Sequence, residues 1–582
     1  MAPNIANKQE SVKHIRHTLA HLLASAVLEK FPQAKLALGP TIEHGFYYDI
    51  DIGRPVTPED LPPLEKRMKQ LVKQGLEMRQ VPIGDQATDT YLATQPFKQE
   101  LMDELRGKGE TITFYRIGNF TDLCRGGHVK NTREINNESF ALTHAAGAYW
   151  RGDAKKPMLQ RIYGVAFGTK AELDHYLTQQ TEAANRDHRK IGKELDLFSF
   201  QDVAPGAPFW HPNGMIIVRQ LEQFWREMHD AAGYWETSTP IMNTAELYKT
   251  SGHWEHFRQD IFTLKVDDHD TALKPMNCPS STKIYASRLR SYRDLPLRLS
   301  EIGRLHRHEL HGALGGLLRV RQITMDDAHI YCRPDQVQKE IEGVLSLIKS
   351  FYKLFGLVPS FKLATMPDHH LGEEKTWRGA EKSLQEALRK AKLVYETKEK
   401  DGAFYGPKID VHIDDALGRT WQVATIQLDF QMPERFQLEY HDEDGQVKRP
   451  VMIHRAIFGS FERFLGILIE HTGGHFPLWL SPVQVQIIPV ATKHNVIGKK
   501  LWMLLHEAGI RAHVDDANET VGYKIRKAEK LKAPFMVVVG DKEKSLTKLT
   551  IRVQGKKAPV NVTLKHWIPL LQKNIARRSG KI

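Results

Sequence analysis

Cysteine is scarce in this sequence: the 582 residues include only three, Cys124, Cys278 and Cys332. Three scattered cysteines are too few for a disulfide framework. Long apolar runs are also absent, since no stretch approaches the roughly 18 consecutive apolar residues that a membrane-spanning helix needs. The N-terminal stretch MAPNIANKQESVKHIRHTLA has no basic segment followed by an apolar one, as a secretory signal would. These absences argue against a secreted or membrane protein and predict a cytoplasmic location.

The composition is otherwise that of a globular protein, with 41% hydrophobic and 26% charged residues and a mean hydropathy of -0.44. At roughly 100–200 residues per domain, the length predicts three or more domains. The formal charge of +12 and the pI of about 9.2 favour a polyanionic partner such as a nucleic acid. Many basic proteins have no such partner, so the charge alone leaves both alternatives open.

The pattern along the chain predicts a multidomain α+β protein. Residues 1–167 mix helical periodicity with short strands such as TITFYRIG, and a charged helical stretch at 168–185 is typical of a connecting helix. Residues 186–480 contain β-rich runs between helices, which favours a largely antiparallel sheet. Residues 481–582 alternate strands and helices, as in a small α/β module with a mostly parallel or mixed sheet. The sequence shows no internal repeat.

The most informative central stretch is LRLSEIGRLHRHELHGALGGLLRVRQITMDDAHIYC. It places Arg307 and Glu309 ahead of a Gly-rich turn, followed by a predicted returning strand with Arg319 and Arg321. Two strands joined in this way present alternate side chains on one face, so an arginine and a glutamate can clamp phosphate and adenine together. Taken alone, the stretch favours a surface hairpin stabilised by ion pairs.

This stretch resembles motif 2 of the class II aminoacyl-tRNA synthetases. GSFERF resembles their motif 3, and GMIIVRQLEQFWREMHDAAGYWETSTPIM resembles motif 1, which ends at Pro240. The resemblance implies that Arg307 binds the α-phosphate of ATP and Arg463 the γ-phosphate, with Mg²⁺ accompanying ATP. Motif 1 forms the dimer interface in that class, so a homodimer is expected.

Further segments narrow the resemblance to the threonyl-tRNA synthetase family: MNCPSS, MDDAHIYC, FYGPKIDVHI, WQVATIQLDF and MIHRAIFGS. The similarity extends through both flanking regions. It implies an editing domain at 1–167, a linker helix at 168–185, a class II antiparallel-sheet catalytic domain at 186–480 and an α/β anticodon-binding domain at 481–582. The expected activity is ligation of L-threonine to tRNA(Thr) with ATP.

The same resemblance implies one Zn²⁺ per chain, bound by Cys278, His329 and His454. Two histidines and a cysteine with an open fourth position are typical of a working zinc site, although the spacing alone is equally compatible with ordinary core residues. An open zinc position can take the amino and β-hydroxyl groups of threonine, and a site built around a substrate hydroxyl rejects the analogue without it by about 10⁴–10⁵. The implied catalytic residues are Arg307, Arg463, Glu309 and Arg319. The implied substrate residues are Asp327, which would hold the amino group, and Tyr405, Gln427 and Gln422.

Serine carries the hydroxyl group that a zinc site would select, and it differs from threonine by one missing methyl group, which gives only about 10–200-fold discrimination. A second, hydrolytic site is therefore expected, and HTLAH and TDLCRGGH resemble the editing pocket that deacylates Ser-tRNA. His17 and His21 share a helix face and can converge with Cys124 and His128. HTLAH lacks the glutamate of a zinc protease, so a metal-free pocket is favoured, with zinc as the alternative.

Lys98 and Asp122 are implied to help position a water molecule and the terminal ribose in that pocket. A solvated helix lysine and a turn acid are equally good interpretations of these two residues. In the tail, the basic segments ETVGYKIRKAEKLK and GDKEKSLTKLTIRVQGKK are typical of solvated faces. The family resemblance instead makes four residues candidate readers of anticodon bases: Asn518, Arg526, Glu543 and Arg552.

The sequence departs from the bacterial family pattern at three places. It starts almost at the editing helix, so the small N-terminal TGS domain is expected to be absent. Met325 stands where glutamine is usual, and a thioether cannot donate the hydrogen bonds of an amide. His308 stands where asparagine is usual. Two alternatives follow: an inhibitor-tolerant second copy of the enzyme, or a synthetase-like RNA-binding regulator without turnover.

Overall fold

The computed structural model describes residues 3–82, 90–153, 155–415 and 418–579, with side chains described from residue 10 onward. The chain divides into two compact units, Met1–Thr181 and Glu182–Ile582. The boundary falls within a helix, Lys170–Arg186, in the region for which the sequence predicts a connecting helix.

The first unit packs helices against two antiparallel sheets. Its helices are α1 Pro3–Lys30, α2 Leu61–Lys73, α3 Pro96–Gly107 and the first part of α4 Lys170–Arg186. Its strands are β1 Lys35–Leu36, β2 Thr41–Ile42, β3 Gly45–Asp51, β4 Met78–Val81, β5 Phe114–Ile117, β6 Phe120–Leu123, β7 Phe140–Tyr149 and β8 Met158–Ala166. One sheet has the order β1-β3-β8-β7 with β2 on β3, and the other has the order β4-β5-β6.

Helix α1 carries the hydrophobic core of this unit. Its buried apolar side chains recur every three or four residues, which is the spacing of one helix face. They are Ile15, Leu19, Leu22, Leu23, Ala26 and Val27. These side chains pack with β3 and α2, so the polar residues at the edge of this face, His17 and His21, are held at a fixed place in the unit.

The second unit begins with the end of α4 and with α5, and it contains a large sheet. The helices are α5 His188–Glu194, α6 Pro212–Ala231, α7 Ala245–Ser251, α8 His253–His256, α9 Cys278–Tyr285, α10 Val337–Phe355, α11 Glu374–Lys390, α12 Gln431–Arg435 and α13 Phe461–Thr472. The strands are β9 Phe198–Phe200, β10 Pro208–Trp210, β11 Trp235–Glu236, β12 Met242–Thr244, β13 Thr263–Val266, β14 His269–Leu273, β15 Leu297–His306, β16 Gln322–Cys332, β17 Ser360–Ala364, β18 Tyr395–Lys398, β19 Lys408–Asp414, β20 Thr420–Asp429, β21 Tyr440–His441, β22 Val447–Lys448 and β23 Val451–Ser460.

Eight of these strands form one sheet in the order β11-β15-β16-β23-β20-β19-β17-β18. Only the two pairs at the edges, β11 with β15 and β17 with β18, are parallel. The predicted antiparallel sheet is confirmed. On the central strands alternate residues such as Ile330, Ile426 and Ile453 face a core shared with α6, α10 and α13. Because side chains alternate along a strand, the residues between them face the opposite side of the sheet.

The C-terminal part of the second unit has its own sheet. Its helices are α14 Asn495–Glu507, α15 Val521–Lys530 and α16 Leu564–Ala576, and its strands are β24 Val485–Pro489, β25 Ala512–Val514, β26 Phe535–Val539, β27 Lys548–Val553 and β28 Val560–Thr563. Strands β25, β24 and β26 are parallel, whereas β27 and β28 run antiparallel to their neighbours. The predicted mixed α/β module is confirmed.

Candidate active site

Three side chains lie in one row across the face of the large sheet opposite its helical core. His329 on β16 pairs with His454 on β23, and His454 pairs with Gln427 on β20. Directly paired residues in antiparallel strands point to the same face. Cys278, the first residue of α9, completes a group with the two histidines in which all three potential ligand atoms lie within 4.8 Å of one another.

The chemistry of this triad fits a bound zinc ion. All three side chains are buried, and burial raises the pKa of the Cys278 thiol well above its ordinary value, so a nearby cation is needed to hold it as thiolate. His454 Nε2 donates to Asp429 Oδ2 at 2.8 Å, which leaves Nδ1 free to bind a metal. A carboxylate behind a histidine ligand is a common feature of zinc sites. Three protein ligands leave one position open for a substrate.

Three of the predicted substrate residues, Asp327, Tyr405 and Gln427, lie beside the triad. Asp327 is two residues from His329 on the same strand face, and its Oδ2 accepts a hydrogen bond from Asn277 Nδ2 at 3.1 Å. Tyr405 donates to Gln427 Oε1, and its ring lies 5.1 Å from that of His454. The Gln422 side chain instead donates to Asp410 at 2.6 Å.

Arg307, Arg319 and Arg321 lie in the loop between β15 and β16. The expectation that Arg319 and Arg321 lie on the returning strand is wrong, because β16 begins only at Gln322. Side-chain contacts hold the loop: Arg307 Nε donates to the Pro275 carbonyl at 3.2 Å, and Arg319 Nε donates to Glu309 Oε2 at 2.9 Å.

Arg463 comes to this loop from the first turn of α13. Its Nε donates to the Leu318 carbonyl at 3.0 Å and its Nη1 to the Gln422 carbonyl at 3.0 Å. Burial, and then the positive charges of Arg307 and Arg319, lower the pKa of Arg463. Neighbouring guanidinium groups whose positive charges repel one another form a site for a polyanion.

The last two residues of β23, Gly459 and Ser460, fix the start of α13 and with it the position of Arg463. Gly459 has a φ of +70°, and a Cβ there would lie 2.2 Å from the Val423 carbonyl oxygen, so only glycine fits. Ser460 then caps the helix, since its Oγ accepts from the Arg463 backbone N–H at 3.1 Å.

A second pocket lies in the first unit. The ligand atoms of His17, His21, Cys124 and His128 all lie within 4.8 Å of one another, and Cys124 Sγ lies 3.4 Å from His17 Nε2 and 3.0 Å from His128 Nε2. A cavity of about 610 Å³ opens beside them, lined by both His17 and His21 and by Cys124. Two segments that are distant in sequence therefore converge on one cavity.

Protonation in this pocket is set by burial. Desolvation lowers the pKa of His17, lowers that of His21 well below its ordinary value and lowers that of His128 to about 2, so the imidazoles are neutral at pH 7. Burial also raises the pKa of the Cys124 thiol to about 11. Cys124 is therefore a thiol that hydrogen-bonds the histidines rather than a nucleophile. Neutral imidazoles can accept a proton from water.

Lys98 and Asp122 line the same cavity and form a buried ion pair. Lys98 Nζ lies 2.7 Å from Asp122 Oδ1, and the two side chains are only 3% and 2% exposed. Tyr48 joins them, because its hydroxyl donates to Asp122 and accepts from Lys98 at 2.9 Å. The interpretations of Lys98 as a solvated helix residue and of Asp122 as a turn acid are wrong: Asp122 lies on strand β6 and both groups are buried.

The four candidate anticodon readers lie in the C-terminal module. Asn518, Arg526 and Arg552 are exposed. Glu543 is half-buried, and its Oε2 accepts a hydrogen bond from the Gly540 backbone N–H at 2.9 Å, which gives it a structural contact as well.

Sequence reasoning missed three residues that contact the candidate sites: Asn277, Asp429 and Tyr48. Asn277 directly precedes Cys278, and Asp429 is the next-to-last residue of the segment WQVATIQLDF. Both therefore lie in stretches that carry the family resemblance. Tyr48, in GFYYDI, has no such signal, because only the fold of the sheet brings β3 to the Lys98–Asp122 pair.

Comparison with known proteins agrees with this geometry. Three family models match: "tRNA synthetase class II core domain (G, H, P, S and T)" at residues 262–472, "Anticodon binding domain" at 484–574 and "Threonyl and Alanyl tRNA synthetase second additional domain" at 112–163. A threonine–tRNA ligase from Carboxydothermus hydrogenoformans is 51% identical over 542 residues, or 93% of this chain and 85% of that protein. One from Clostridium tetani is 48% identical over 572 residues, or 98% and 89%.

Among solved structures, the RNA binding domain of threonyl-tRNA synthetase from Cryptosporidium parvum Iowa II matches with a TM-score of 0.65 and 39% identity, covering 68% of this chain and 99% of that one. The antiparallel sheet, the arginine loop and the core match define a class II aminoacyl-tRNA synthetase. Within that class, the chain belongs to the threonine–tRNA ligase family. Among the helices of the described residues, none combines the length and apolar character needed to cross a bilayer.

Proposed function

We propose that the protein activates L-threonine with ATP and transfers it to tRNA(Thr). The observation that carries this proposal is the Cys278–His329–His454 triad on the same sheet face as Asp327, next to the loop that holds Arg307 and Arg463. A metal-ligand triad can select an amino acid with a hydroxyl group, and an adjacent polyanion site can hold ATP.

In the first step, Asp327 accepts hydrogen bonds from the threonine amino group. Arg307 binds the α-phosphate and Arg463 the γ-phosphate, so the triphosphate is held in line with the threonine carboxylate. A carboxylate oxygen attacks the α-phosphorus, the bond to the β-phosphate oxygen breaks, and pyrophosphate leaves with its Mg²⁺. The two guanidinium groups stabilise the charge that develops on the phosphates. The ribose hydroxyl at the tRNA terminus then attacks the carbonyl carbon of the adenylate, the bond from that carbon to the phosphate oxygen breaks, and AMP leaves with the threonyl group transferred to tRNA.

Selection of threonine rests on the residues around the triad. Zinc, when held by Cys278, His329 and His454, would supply a Lewis-acid position for the amino and hydroxyl groups of the substrate. Tyr405 and Gln427, which are hydrogen-bonded to each other, bound the side-chain pocket.

The pocket of the first unit hydrolyses Ser-tRNA(Thr) in this proposal. Neutral His17 and His21 are suited to accept a proton from water. The Lys98–Asp122 pair forms the part of the cavity lining that contacts the terminal ribose. The absence from HTLAH of the glutamate that a zinc protease carries favours a metal-free pocket.

The remaining assignments follow from the same family. We assign editing to residues 1–167, the linker helix to 168–185, catalysis to 186–480 and anticodon binding to 481–582, with Asn518, Arg526, Glu543 and Arg552 as base readers. The protein acts in the cytoplasm as a homodimer. Exposed apolar residues at the end of motif 1, Trp235 at 66% and Met242 at 51%, support a dimer surface there.

ATP–pyrophosphate exchange with threonine, serine and valine tests the proposal, with zinc measured on the same sample. Exchange with threonine and serine but not valine is the expected result, followed by hydrolysis of Ser-tRNA(Thr). Zinc-loaded protein that exchanges with none of the three would overturn the ligase function.

A further inference from the structure

A buried histidine at the start of the second unit has both ring nitrogens in use. His188 is 3% exposed and opens helix α5, far in sequence from the three motifs. The Leu317 backbone N–H donates to His188 Nε2 at 3.0 Å, so the ring proton is on Nδ1. Nδ1–H then donates to Glu470 Oε1 at 2.7 Å. A neutral imidazole thus links helix α13 to a backbone amide.

That amide belongs to the turn that ends the motif 2 loop. The turn comprises Gly316–Leu318, and it lies so close to the imidazole that a Cβ on Gly316 would be 2.2 Å from His188 Nε2. Gly316 also has a φ of +55°, which disfavours any other residue. Leu317 and Leu318 are buried against α13. The histidine therefore fixes the turn through a contact that excludes a side chain.

The next residue of the turn holds the motif 3 arginine. The Leu318 carbonyl accepts from Arg463 Nε at 3.0 Å, one residue after the amide that binds His188. The Leu317 N–H and the Leu318 carbonyl belong to one short turn whose leucine side chains are buried against α13, so a displacement of the turn moves both groups. The orientation of the Arg463 guanidinium is therefore tied to His188.

The carboxylate behind His188 is itself anchored. Glu470 Oε2 accepts from Arg419 Nη2 at 2.7 Å, and Arg419 Nε donates to Asp415 at 2.6 Å. The centroid of the Trp421 ring lies 5.4 Å from Arg419 Cζ and 5.9 Å from Arg463 Cζ. The network thus reaches Arg463 both through the Gly316–Leu318 turn and through Trp421.

We propose that His188 is a positioning residue for ATP, which acts through the Gly316–Leu318 turn to hold Arg463 in its phosphate-binding orientation. This inference rests on the proposed use of Arg463 in threonine activation. Its signature is selective: binding of ATP depends on His188, whereas binding of threonine at the metal triad does not.

The test compares full-length wild type with His188→Phe and His188→Gln. Phenylalanine keeps a planar ring but leaves the Leu317 amide without its partner and removes the side-chain donor to Glu470 Oε1. Since a net hydrogen bond contributes about 1 kcal/mol, or roughly fivefold in an equilibrium constant, we expect His188→Phe to raise the KM for ATP about five- to tenfold in pyrophosphate exchange. The KM for threonine should stay unchanged. Glutamine can accept from the Leu317 amide and should restore part of the loss.

Two further variants control for folding and for general damage. His211→Gln removes another histidine bonded to a carboxylate, Asp196, outside the network, and should leave both KM values unchanged. Gly316→Ala displaces the turn without altering His188 and should reproduce the ATP-selective rise, which keeps the test decisive if His188→Phe does not fold.

A direct readout separates this inference from the proposed function. Calorimetric binding of a non-hydrolysable ATP analogue should weaken in His188→Phe by the same factor as the KM rises. Two outcomes would overturn this inference and leave the proposed function intact, provided that the wild type catalyses exchange. One is an unchanged KM for ATP in folded His188→Phe protein. The other is an equal rise in its KM values for ATP and threonine. Absence of exchange in wild type would overturn the proposed function, and the analogue titration would still decide whether His188 positions the phosphate site.

Discussion

Replacing Asp122 with asparagine is expected to destabilise the core of the editing pocket locally. The Asp122 carboxylate pairs with Lys98 Nζ at 2.7 Å in a site where both side chains are almost fully buried. Asparagine keeps the size but leaves a buried ammonium group without its counter-charge. Removing one partner of a buried pair costs roughly 3–5 kcal/mol. The Tyr48 hydroxyl still has Lys98 as a partner, so it does not add to this loss.

Hydrogen exchange followed by mass spectrometry measures this loss where it arises. The chain has several domains, so a single melting temperature would not isolate the effect. Peptides from β6 and from α3, which carry Asp122 and Lys98, should lose protection by about a hundredfold to a few thousandfold, since each 1.4 kcal/mol is tenfold. Peptides from the large sheet of the second unit should be unchanged.

Two controls separate burial of charge from other effects. Asp103→Asn on α3 breaks an exposed pair with Arg106 and should leave protection unchanged. The triple variant Tyr48→Phe, Lys98→Met and Asp122→Leu replaces the whole polar network with apolar groups, which is often neutral for stability. It should regain protection and still fail to hydrolyse Ser-tRNA(Thr). Unchanged protection in Asp122→Asn would refute the reasoning, and hydrolysis by the stable triple variant would refute the role of the pair.

Three further outcomes are expected. Purified protein should carry about one zinc per chain, lost in Cys278→Ser and kept in Cys124→Ser; a second equivalent lost in Cys124→Ser would show that the editing pocket binds metal. With the pKa of the Cys124 thiol raised to about 11 by burial, its alkylation by iodoacetamide should rise about tenfold per pH unit between about pH 8 and 10; a plateau near pH 9 would contradict this. Met325→Gln should shift the inhibition curve of a threonyl-adenylate analogue, and identical curves would remove the inhibitor-tolerance alternative.

Much of the catalytic site could be predicted from local sequence. Arg307, Arg463 and the residues around His329 and His454 lie in contiguous segments whose pattern resembles one family, so their chemistry was visible without coordinates. The antiparallel character of the large sheet also followed from strand-rich runs. The start of β16 at Gln322 did not, because a loop held by side-chain contacts and a strand carry similar local residues.

The sequence by itself determined the class of protein, the kinds of chemical groups and the helix face that presents His17 and His21. These are local properties, carried by residue type and by spacing of three or four positions. Only the tertiary structure decided that Lys98 and Asp122 are a buried pair completed by Tyr48, that Asp429 supports His454, and that His188 contacts the turn holding Arg463. Each of these depends on contacts between segments far apart in the chain, where burial and the packing of separate elements set the distances, and no local pattern records them.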